Sequence, residues 1–199
     1  MTADAYILFE TAIGCCGLAW NASGIAGVQL PESDTAATAM YMQRRFPQAR
    51  ACEPSIEAQQ TLDQINALLR GEASDLTAIR LDMRGVPPFH QRVYQVARGI
   101  APGSTMTYGE VALRLELPGA ARAVGQALGR NPFALIVPCH RVLAANGKLG
   151  GFSAGGGVAA KRRLLMIEGA LASTSRDLFG DDDAVLYQAA PRQTRNPNT

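Results

Sequence analysis

Short apolar runs alternate with polar turn residues over the first thirty positions, and this pattern predicts a small antiparallel sheet. The apolar runs are residues 6–9, 17–20 and 25–28. The link Asn21-Ala22-Ser23-Gly24 between the second and third runs is typical of a hairpin, because polar residues and glycine between two strand-like runs favour a tight turn. The chain is therefore expected to begin with strands.

Two helices are predicted next from the spacing of the apolar residues. Residues 33–46 have helical periodicity, and Pro54 opens a second helix whose apolar stripe ends before Gly71. Residues 79–83 return to strand character. The fold class predicted for residues 1–84 is an α+β amino-terminal domain that carries no chemical motif of its own.

A linker at residues 85–88 introduces a predominantly helical part of the chain. Pro88 suits the first position of a helix, and a last helix is predicted over residues 158–168. We predict a second domain over residues 85–172. Residues 173–199 are predicted to form a disordered tail, because they are polar, contain acidic residues and include prolines.

Two short helices in this second domain follow each other closely. Thr107 and Glu110 have the spacing of a capping box, which starts the first helix. The segment Leu117-Pro118-Gly119 ends that helix with a turn, and residues 120–128 form the second one. Two short helices that meet across a tight turn predict a helix-turn-helix.

Charge is distributed unevenly along the chain, although the net charge is only +2. Residues 1–82 carry five arginines and ten acidic residues, whereas residues 83–163 carry eleven basic and two acidic residues. A concentrated basic segment is typical of a surface that binds a polyanion such as nucleic acid. The alternative is a basic surface that serves solubility alone.

Arg122 is the candidate DNA contact within the second short helix. It lies near the amino-terminal end, which is the part that enters a DNA groove in helix-turn-helix proteins. Its neighbours, Ala121 among them, are small and would allow a close approach to a duplex. An arginine that is simply solvated is the alternative interpretation.

The candidate reactive residues lie in the run Pro138-Cys139-His140-Arg141. This run places a soft nucleophile, a base and a phosphate-seeking cation side by side. The flanking apolar runs, residues 135–137 and 142–143, predict buried strands. Isolated cysteines usually pack as small hydrophobic residues, and we interpret Cys15, Cys16 and Cys52 in this way. A neighbouring imidazole and guanidinium favour the reactive thiolate, so Cys139 is predicted to be a nucleophile. Neighbouring side chains on a strand point to opposite faces, so His140 is expected to reach Cys139 through a bend or a bridging water.

Two features follow this run. Asn146-Gly147 is the strongest short hairpin signal in the chain and predicts that the strand after Cys139 returns through residues 148–149. The glycine-rich segment 150–157 then either borders a pocket or forms a plain surface loop. Glu168 lies in the last turn of the final helix, where the helix dipole disfavours an acid; a carboxylate that orients an imidazole would explain it.

Composition sets further bounds. A chain of 199 residues suits one to two small domains, and no apolar run approaches the length of a membrane-spanning helix. The first residues lack the features of a secretory signal, so we expect a cytoplasmic protein with reduced thiols. The chain has no Cys-x-x-Cys pair and only two histidines, so no metal site is predicted.

A family resemblance rests on four segments taken together. The run Pro138 to Val142, with Thr107-Tyr108-Gly109, residues 121–125 and Asn131-Pro132, closely resembles the O6-alkylguanine-DNA alkyltransferases. The resemblance covers about residues 86–169. It implies a ribonuclease-H-like amino-terminal domain, followed by a mainly helical carboxy-terminal domain that bears the helix-turn-helix and the reactive cysteine.

The resemblance also implies catalytic roles. Cys139 would accept the alkyl group, His140 would act as its base through water, and Glu168 would orient and charge His140. Asn131 would support the active-site turn. Tyr108 would assist departure of the guanine O6 and help to turn the nucleotide out of the duplex.

Further residues are assigned to DNA and substrate in the same way. The predicted DNA contacts are Thr107, Ala121, Arg122 and Arg141. The predicted substrate pocket consists of Val142, Phe152 and Ser153. Arg122 would fill the vacated place in the base stack, the Val142 backbone would recognise the guanine edge, and Ser153 would lie near O6. Phe152 stands where many relatives have tyrosine.

The implied activity is a single, irreversible transfer of an alkyl group from O6-alkylguanine in double-stranded DNA to Cys139, by a monomer without a dissociable cofactor. A soft alkyl carbon suits a thiolate nucleophile, and a stacked base must leave the duplex to react. Two alternatives are a module that binds damaged DNA without chemistry and a cysteine hydrolase. Binding modules of this fold replace the acceptor cysteine, whereas hydrolases usually take nucleophile and base from distant positions.

Overall fold

Three sequential strands form the antiparallel sheet that the alternating pattern predicts. The structure is a computed structural model and describes residues 2–171. Strands β1 (Ala5–Thr11), β2 (Gly14–Asn21) and β3 (Gly24–Gln29) pair in sequence order, and the short β4 (Arg50–Ala51) pairs in parallel with β1. The predicted hairpin between β2 and β3 is confirmed, and the strand order is β3-β2-β1-β4.

Both predicted amino-terminal helices are present. Helix α1 (Thr35–Arg45) begins at Asp34, whose carboxylate accepts a hydrogen bond from the Ala37 amide, and α2 (Ile56–Leu69) begins at Ser55. Side-chain oxygens at these positions satisfy amides that have no partner within the helix.

The two faces of the sheet belong to different hydrophobic clusters. Ala19 and Ala26 pack with Met42 of α1, whereas their neighbours Leu18 and Ile25 face the main core. This alternation follows from the two-residue repeat of a strand. The main core is continuous from the sheet and α2 into the carboxy-terminal helices.

Residues 79–83 do not form the predicted strand. Leu81 makes a single parallel bridge with Ile25. The chain then turns away, because the buried Asp82 carboxylate accepts hydrogen bonds from Asn21 and Arg84. The pairing with β3 is limited to two backbone hydrogen bonds, from the Ile25 amide to the Arg80 carbonyl and from the Asp82 amide to the Ile25 carbonyl.

Four α-helices lie in the carboxy-terminal part of the described residues. They are α3 (Pro88–Arg98), α4 (Tyr108–Arg114), α5 (Ala121–Gly129) and α6 (Gly157–Ile167). Pro88 occupies the first turn of α3 as predicted. The capping box is also confirmed, since Thr107 and Glu110 bond reciprocally at the start of α4.

The predicted strand before Cys139 is wrong. Residues 135–137 form turns, and Leu135 has a φ of 70°. Residues Cys139–Arg141 form a 3₁₀ turn, and β6 (Val142–Leu143) follows it. Strand β6 pairs in parallel with β5 (Met106–Thr107).

The hairpin predicted at Asn146-Gly147 is correct only as a turn. Both residues have positive φ, as a type I′ turn requires, and the Ala144 amide bonds to the Lys148 carbonyl. The ladder of β6 nevertheless joins β5 rather than the returning segment.

Within residues 2–171, no helix is both long enough and apolar enough to cross a membrane. The tail predicted over residues 173–199 lies outside the described residues.

Candidate active site

The nucleophile lies on a tightly folded turn between α5 and β6. Cys139 begins the 3₁₀ turn, is a free thiol and is partly buried. Its amide donates to the carbonyl of Val137 at 2.8 Å. Because this segment is a 3₁₀ turn, the opposite-face geometry expected for strand neighbours does not apply to Cys139 and His140.

Asn131 fastens the turn that precedes the nucleophile. Its Oδ1 accepts from the Phe133 amide at 2.9 Å, and its Nδ2 donates to the Val137 carbonyl at 2.8 Å. The same carbonyl thus receives both Asn131 and the Cys139 amide. These contacts are those expected of a residue that supports an active-site turn.

His140 and Glu168 meet although they are far apart in the sequence. Nε2 of His140 lies 2.9 Å from Oε1 of Glu168, and both side chains are almost fully buried. The ionised carboxylate accepts, so Nε2 carries the hydrogen and Nδ1 keeps a lone pair. No group among the described residues hydrogen-bonds to Nδ1, so it is available as a base.

The protonation states of this pair follow from burial and from Arg141. Burial lowers the pKa of His140, and the nearby charges of Arg141 and Lys161 lower it further, against the opposing effect of Glu168. Burial alone would raise the pKa of Glu168, but hydrogen bonds from His140 and Arg141 bring it to about 2. The resting site therefore holds a neutral imidazole beside a carboxylate.

Arg141 is not available to DNA, so its assignment as a DNA contact needs correction. The residue is 5% exposed. Its Nε and Nη2 donate to the two oxygens of Glu168 at 2.8 Å, and Nη1 donates to the Ile100 carbonyl. The Glu168 carboxylate therefore binds the Arg141 guanidinium inside the protein, and this cation favours the ionised form of Glu168.

Lys161 is a site residue that the sequence analysis missed. It is fully buried, and its Nζ donates to the Val142 carbonyl at 2.6 Å and lies 5.8 Å from the centre of the Tyr108 ring. Burial lowers the pKa of Lys161 to about 8, while the nearby Cys139 opposes this effect. The sequence places Lys161 within the predicted last helix, but nothing in the sequence indicates that its side chain points inward.

The thiol of Cys139 is held between opposing influences. Burial raises its pKa, whereas the Asn131 side chain, the Lys161 charge and the backbone amides of Cys139 and His140 lower it. The donors around the sulfur are those that stabilise a thiolate.

Two cavities open onto the nucleophile. A cavity of about 380 Å³ borders Tyr108 and Gly125, and a second of about 610 Å³ lies between the amino-terminal sheet and the helices. Both are lined by Cys139, Phe152 and Ser153. The glycine-rich segment therefore borders a pocket, which was one of its two predicted interpretations. Val142 is buried, and its carbonyl is taken by Lys161.

Helices α4 and α5 present the remaining predicted DNA contacts. Arg122 is exposed at the second position of α5, directly after Ala121. The Thr107 hydroxyl is engaged within the capping box, where it accepts from the Glu110 amide and donates to the Glu110 carboxylate. The first turn of α5 has no side-chain cap, because Ala120 precedes it.

Metal binding has no support in the part of the chain that the structure describes. Residues 2–171 contain no group of three or more His, Cys, Asp or Glu side chains arranged to hold an ion.

Comparison with known proteins identifies the class to which this fold and site belong. The family profile described as 6-O-methylguanine DNA methyltransferase, DNA binding domain, matches residues 88–170. The chain is 48% identical over 118 residues to the methylated-DNA–protein-cysteine methyltransferase of Mycobacterium tuberculosis strain H37Rv, which covers 59% of this chain and 69% of that protein. The Methanothermobacter thermautotrophicus protein of the same name is 42% identical over 116 residues, covering 58% of this chain and 64% of that protein.

Solved structures agree with this result. The M. tuberculosis OGT structure in complex with DNA matches with a TM-score of 0.66 and 37% identity, covering 83% of this chain and 92% of that one. The O6-methylguanine-DNA methyltransferase of Pyrococcus kodakaraensis matches with a TM-score of 0.64 and 27% identity, covering 82% and 99%. The chain belongs to the methylated-DNA–protein-cysteine methyltransferase family.

Proposed function

We propose that this protein repairs double-stranded DNA by moving the alkyl group of an O6-alkylguanine onto Sγ of its own Cys139. The observation that carries the proposal is the free Cys139 thiol, which borders both cavities and is followed directly by the buried His140–Glu168 pair. An adjacent base and nearby cationic groups are what a thiol needs in order to act as a nucleophile.

The reaction begins with removal of the thiol proton. A water molecule that bridges Cys139 and Nδ1 of His140 would pass this proton to the imidazole, and Glu168 would stabilise the imidazolium that forms. The thiolate then attacks the alkyl carbon, a carbon–sulfur bond forms, and the bond between that carbon and guanine O6 breaks. The departing guanine takes up a proton, and Tyr108 assists this departure. The thioether has no route back, so each molecule reacts once.

The substrate base must leave the duplex before it can reach the buried sulfur. Helices α4 and α5 would serve as a helix-turn-helix, with the amino-terminal turn of α5 against the DNA. Arg122 would occupy the space that the extruded nucleotide leaves. The uncapped amides at the start of α5 would also be free to bond to a phosphate.

The architecture supports the domain assignments as part of the same proposal. Three antiparallel strands followed by a helix and a short strand parallel to β1 match a ribonuclease-H-like layout over residues 1–84. Residues 85–172 would form the DNA-binding and alkyl-acceptor domain. We propose that a monomer suffices, and that reduced thiols at all four cysteines suit a reducing compartment such as the cytoplasm.

The alternatives are less well supported. A module that only recognises damaged DNA has no need for a thiol whose pKa the Asn131 side chain and the Lys161 charge lower, and this chain retains such a thiol. A cysteine hydrolase would have no use for the exposed arginine at the start of α5.

Stoichiometry tests the proposal. The full chain should remove at most one O6-methyl group from a duplex per protein molecule, and Cys139→Ala should remove none. Cys52→Ala, which changes an exposed thiol, should behave as the unaltered protein. Repeated turnover, or removal by Cys139→Ala, would contradict the assignment.

A further inference from the structure

The amino-terminal sheet holds one carbonyl of the turn that leads to Cys139. The Pro132 carbonyl accepts from the Val28 amide at 3.0 Å and from Nη2 of Arg45 at 3.0 Å. Val28 also makes a parallel bridge with Phe133, so the edge of β3 continues into this turn. Arg45 is the last residue of α1, on the opposite face of the sheet from the main core.

From Pro132 the contacts run without a break to the nucleophile. Its neighbour Asn131 bonds to the Phe133 amide and to the Val137 carbonyl. That carbonyl also accepts the Cys139 amide. A shift of Pro132 would therefore move the groups that set the position of the sulfur.

The turn itself needs such support because it is strained. Leu135 is a buried non-glycine residue with a φ of 70°, in the left-handed region. That conformation is unfavourable for a residue with a Cβ and persists only where the surroundings fix it. Contacts at both ends of the turn provide that constraint.

Arg45 reaches Pro132 by a route that the sequence keeps open. A Cβ on Gly27 of β3 would lie 2.8 Å from Nη2 of Arg45 and 2.9 Å from Cζ of Phe46, so a larger residue there would displace the guanidinium or the ring. The guanidinium also lies 4.9 Å from the centre of the Phe46 ring, and among the described residues no carboxylate pairs with it. Burial lowers the pKa of Arg45. The guanidinium is half-buried, and its hydrogen bond to the Pro132 carbonyl and its contact with the Phe46 ring hold it in place.

We infer that Arg45 is a positioning residue, through which the amino-terminal sheet fixes the turn that aims Cys139. The inference rests on the proposed function for its activity readout. It gives the amino-terminal domain a role in the chemistry that does not require contact with DNA.

Arg45→Met removes the donor and is the main test. Misplacement of the nucleophile should slow the maximal rate of single-turnover repair about tenfold. The reaction with free O6-benzylguanine should slow equally, because the defect lies in the sulfur and not in DNA binding. The DNA concentration at half-maximal rate should stay unchanged. Arg45→Lys, which keeps a cation and one donor, should recover part of the rate.

Matched variants separate positioning from general damage. Arg44→Met changes the exposed neighbour on α1 and should leave every rate unchanged. Gly27→Ala crowds both the guanidinium and the Phe46 ring while keeping Arg45, and should slow repair in the same direction as Arg45→Met. It also tests the inference if Arg45→Met fails to fold.

A second readout does not depend on repair. The rate at which iodoacetamide modifies Cys139, followed by peptide mass, should shift to higher pH in Arg45→Met, because the turn then presents its amides less well to the thiolate. Folded Arg45→Met with the rate and pH profile of the unaltered protein would overturn the inference, as would a loss confined to DNA affinity. Failure of the unaltered protein to repair DNA would refute the proposed function, and the iodoacetamide profile would still decide the role of Arg45.

Discussion

Ten of the eleven cations of residues 83–163 fall into two groups that differ in what they contact. One group is held by carboxylates or backbone carbonyls of the protein and consists of Arg84, Arg92, Arg98, Arg141, Lys161 and Arg163. The other group is exposed, makes no ion pair or hydrogen bond within residues 2–171, and consists of Arg114, Arg122, Arg130 and Lys148. Within the first group Arg141 and Lys161 are buried, so the charge count along the sequence includes positive charges that DNA cannot meet.

The two groups should also respond differently to change. For Arg141 and Lys161, the buried members of the first group, removing the partner leaves an uncompensated charge in a poorly solvated place, which is strongly destabilising. An exposed cation acts through screened interactions with phosphate and contributes mainly to salt-dependent affinity.

Glu168→Gln should give the largest effect, because it removes the anion that both His140 and Arg141 contact. We expect a loss of about 3–5 kcal/mol in the free energy of unfolding, measured by urea denaturation at neutral pH. Glu116→Gln, at an exposed position, should lose almost nothing. A Glu168→Gln protein as stable as the Glu116→Gln control would break the distinction between the two groups.

The same contact predicts a pH dependence. The pKa of Glu168 is lowered in the folded protein from 4.5 to about 2, so the unfolded chain binds the proton more readily. The stabilisation from this carboxylate is complete above pH 4.5 and is lost as the pH falls towards 2. The difference in stability between the unaltered protein and Glu168→Gln should therefore shrink over that range. A constant difference would contradict the assignment of the charge.

Arg122→Ala should give the next largest effect, on a reaction step instead of on stability. We expect repair of a duplex to slow about tenfold to a hundredfold, because the extruded nucleotide loses the side chain that fills its place. The reaction with free O6-benzylguanine should be unchanged. Arg114→Ala is the matched control among the exposed cations, and equal slowing of both substrates by Arg122→Ala would refute an extrusion role.

Lys161→Met should change the pH profile of the chemistry. Loss of a cation beside the thiol should raise the pKa of Cys139 and slow the reaction with O6-benzylguanine about tenfold at pH 7. In the unaltered protein this support should disappear as Lys161 loses its proton near pH 8. A Lys161→Met protein with an unchanged profile would place Lys161 among purely structural residues.

Single substitutions should have their smallest effect on the salt dependence of DNA binding. The slope of that dependence nevertheless counts the cations that contact phosphates. Contact of phosphates with the four cations of the second group alone predicts a slope of log affinity against log salt of about −4, whereas contact with eleven would give about −10. Lys148→Gln should reduce the slope by about 0.9 if it meets a phosphate. Arg163→Gln, whose guanidinium donates to the Ala12 carbonyl, should leave the slope unchanged.

Local features of this fold could be predicted from the sequence because they depend on neighbouring residues. The capping box of Thr107 and Glu110, the β2–β3 hairpin and the turn at Asn146-Gly147 all follow from short-range hydrogen bonds or backbone preferences. The residues 135–137 were harder to predict, because a buried apolar turn and a buried strand have the same composition. The position of Glu168 could be linked to His140 only through the unfavourable helix dipole and the family resemblance.

Long-range partners could not be read in this way. The sequence shows Arg141 beside the nucleophile, but its partner Glu168 lies 27 residues away, and only the fold brings them together. The inward direction of Lys161 and the path of Arg45 past Gly27 likewise depend on how separate elements pack. Charge type is therefore visible in a sequence, whereas charge availability is a property of the tertiary structure.

Peptide mapping after exposure to damaged DNA tests the central assignment most directly. The full chain is incubated with a duplex that contains one O6-methylguanine, digested, and examined by mass spectrometry. We predict that the Cys139 peptide alone exchanges its thiol hydrogen for a methyl group, in step with the disappearance of the lesion. Repair that leaves the Cys139 peptide unmodified, or that methylates Cys15, Cys16 or Cys52 instead, would contradict the account.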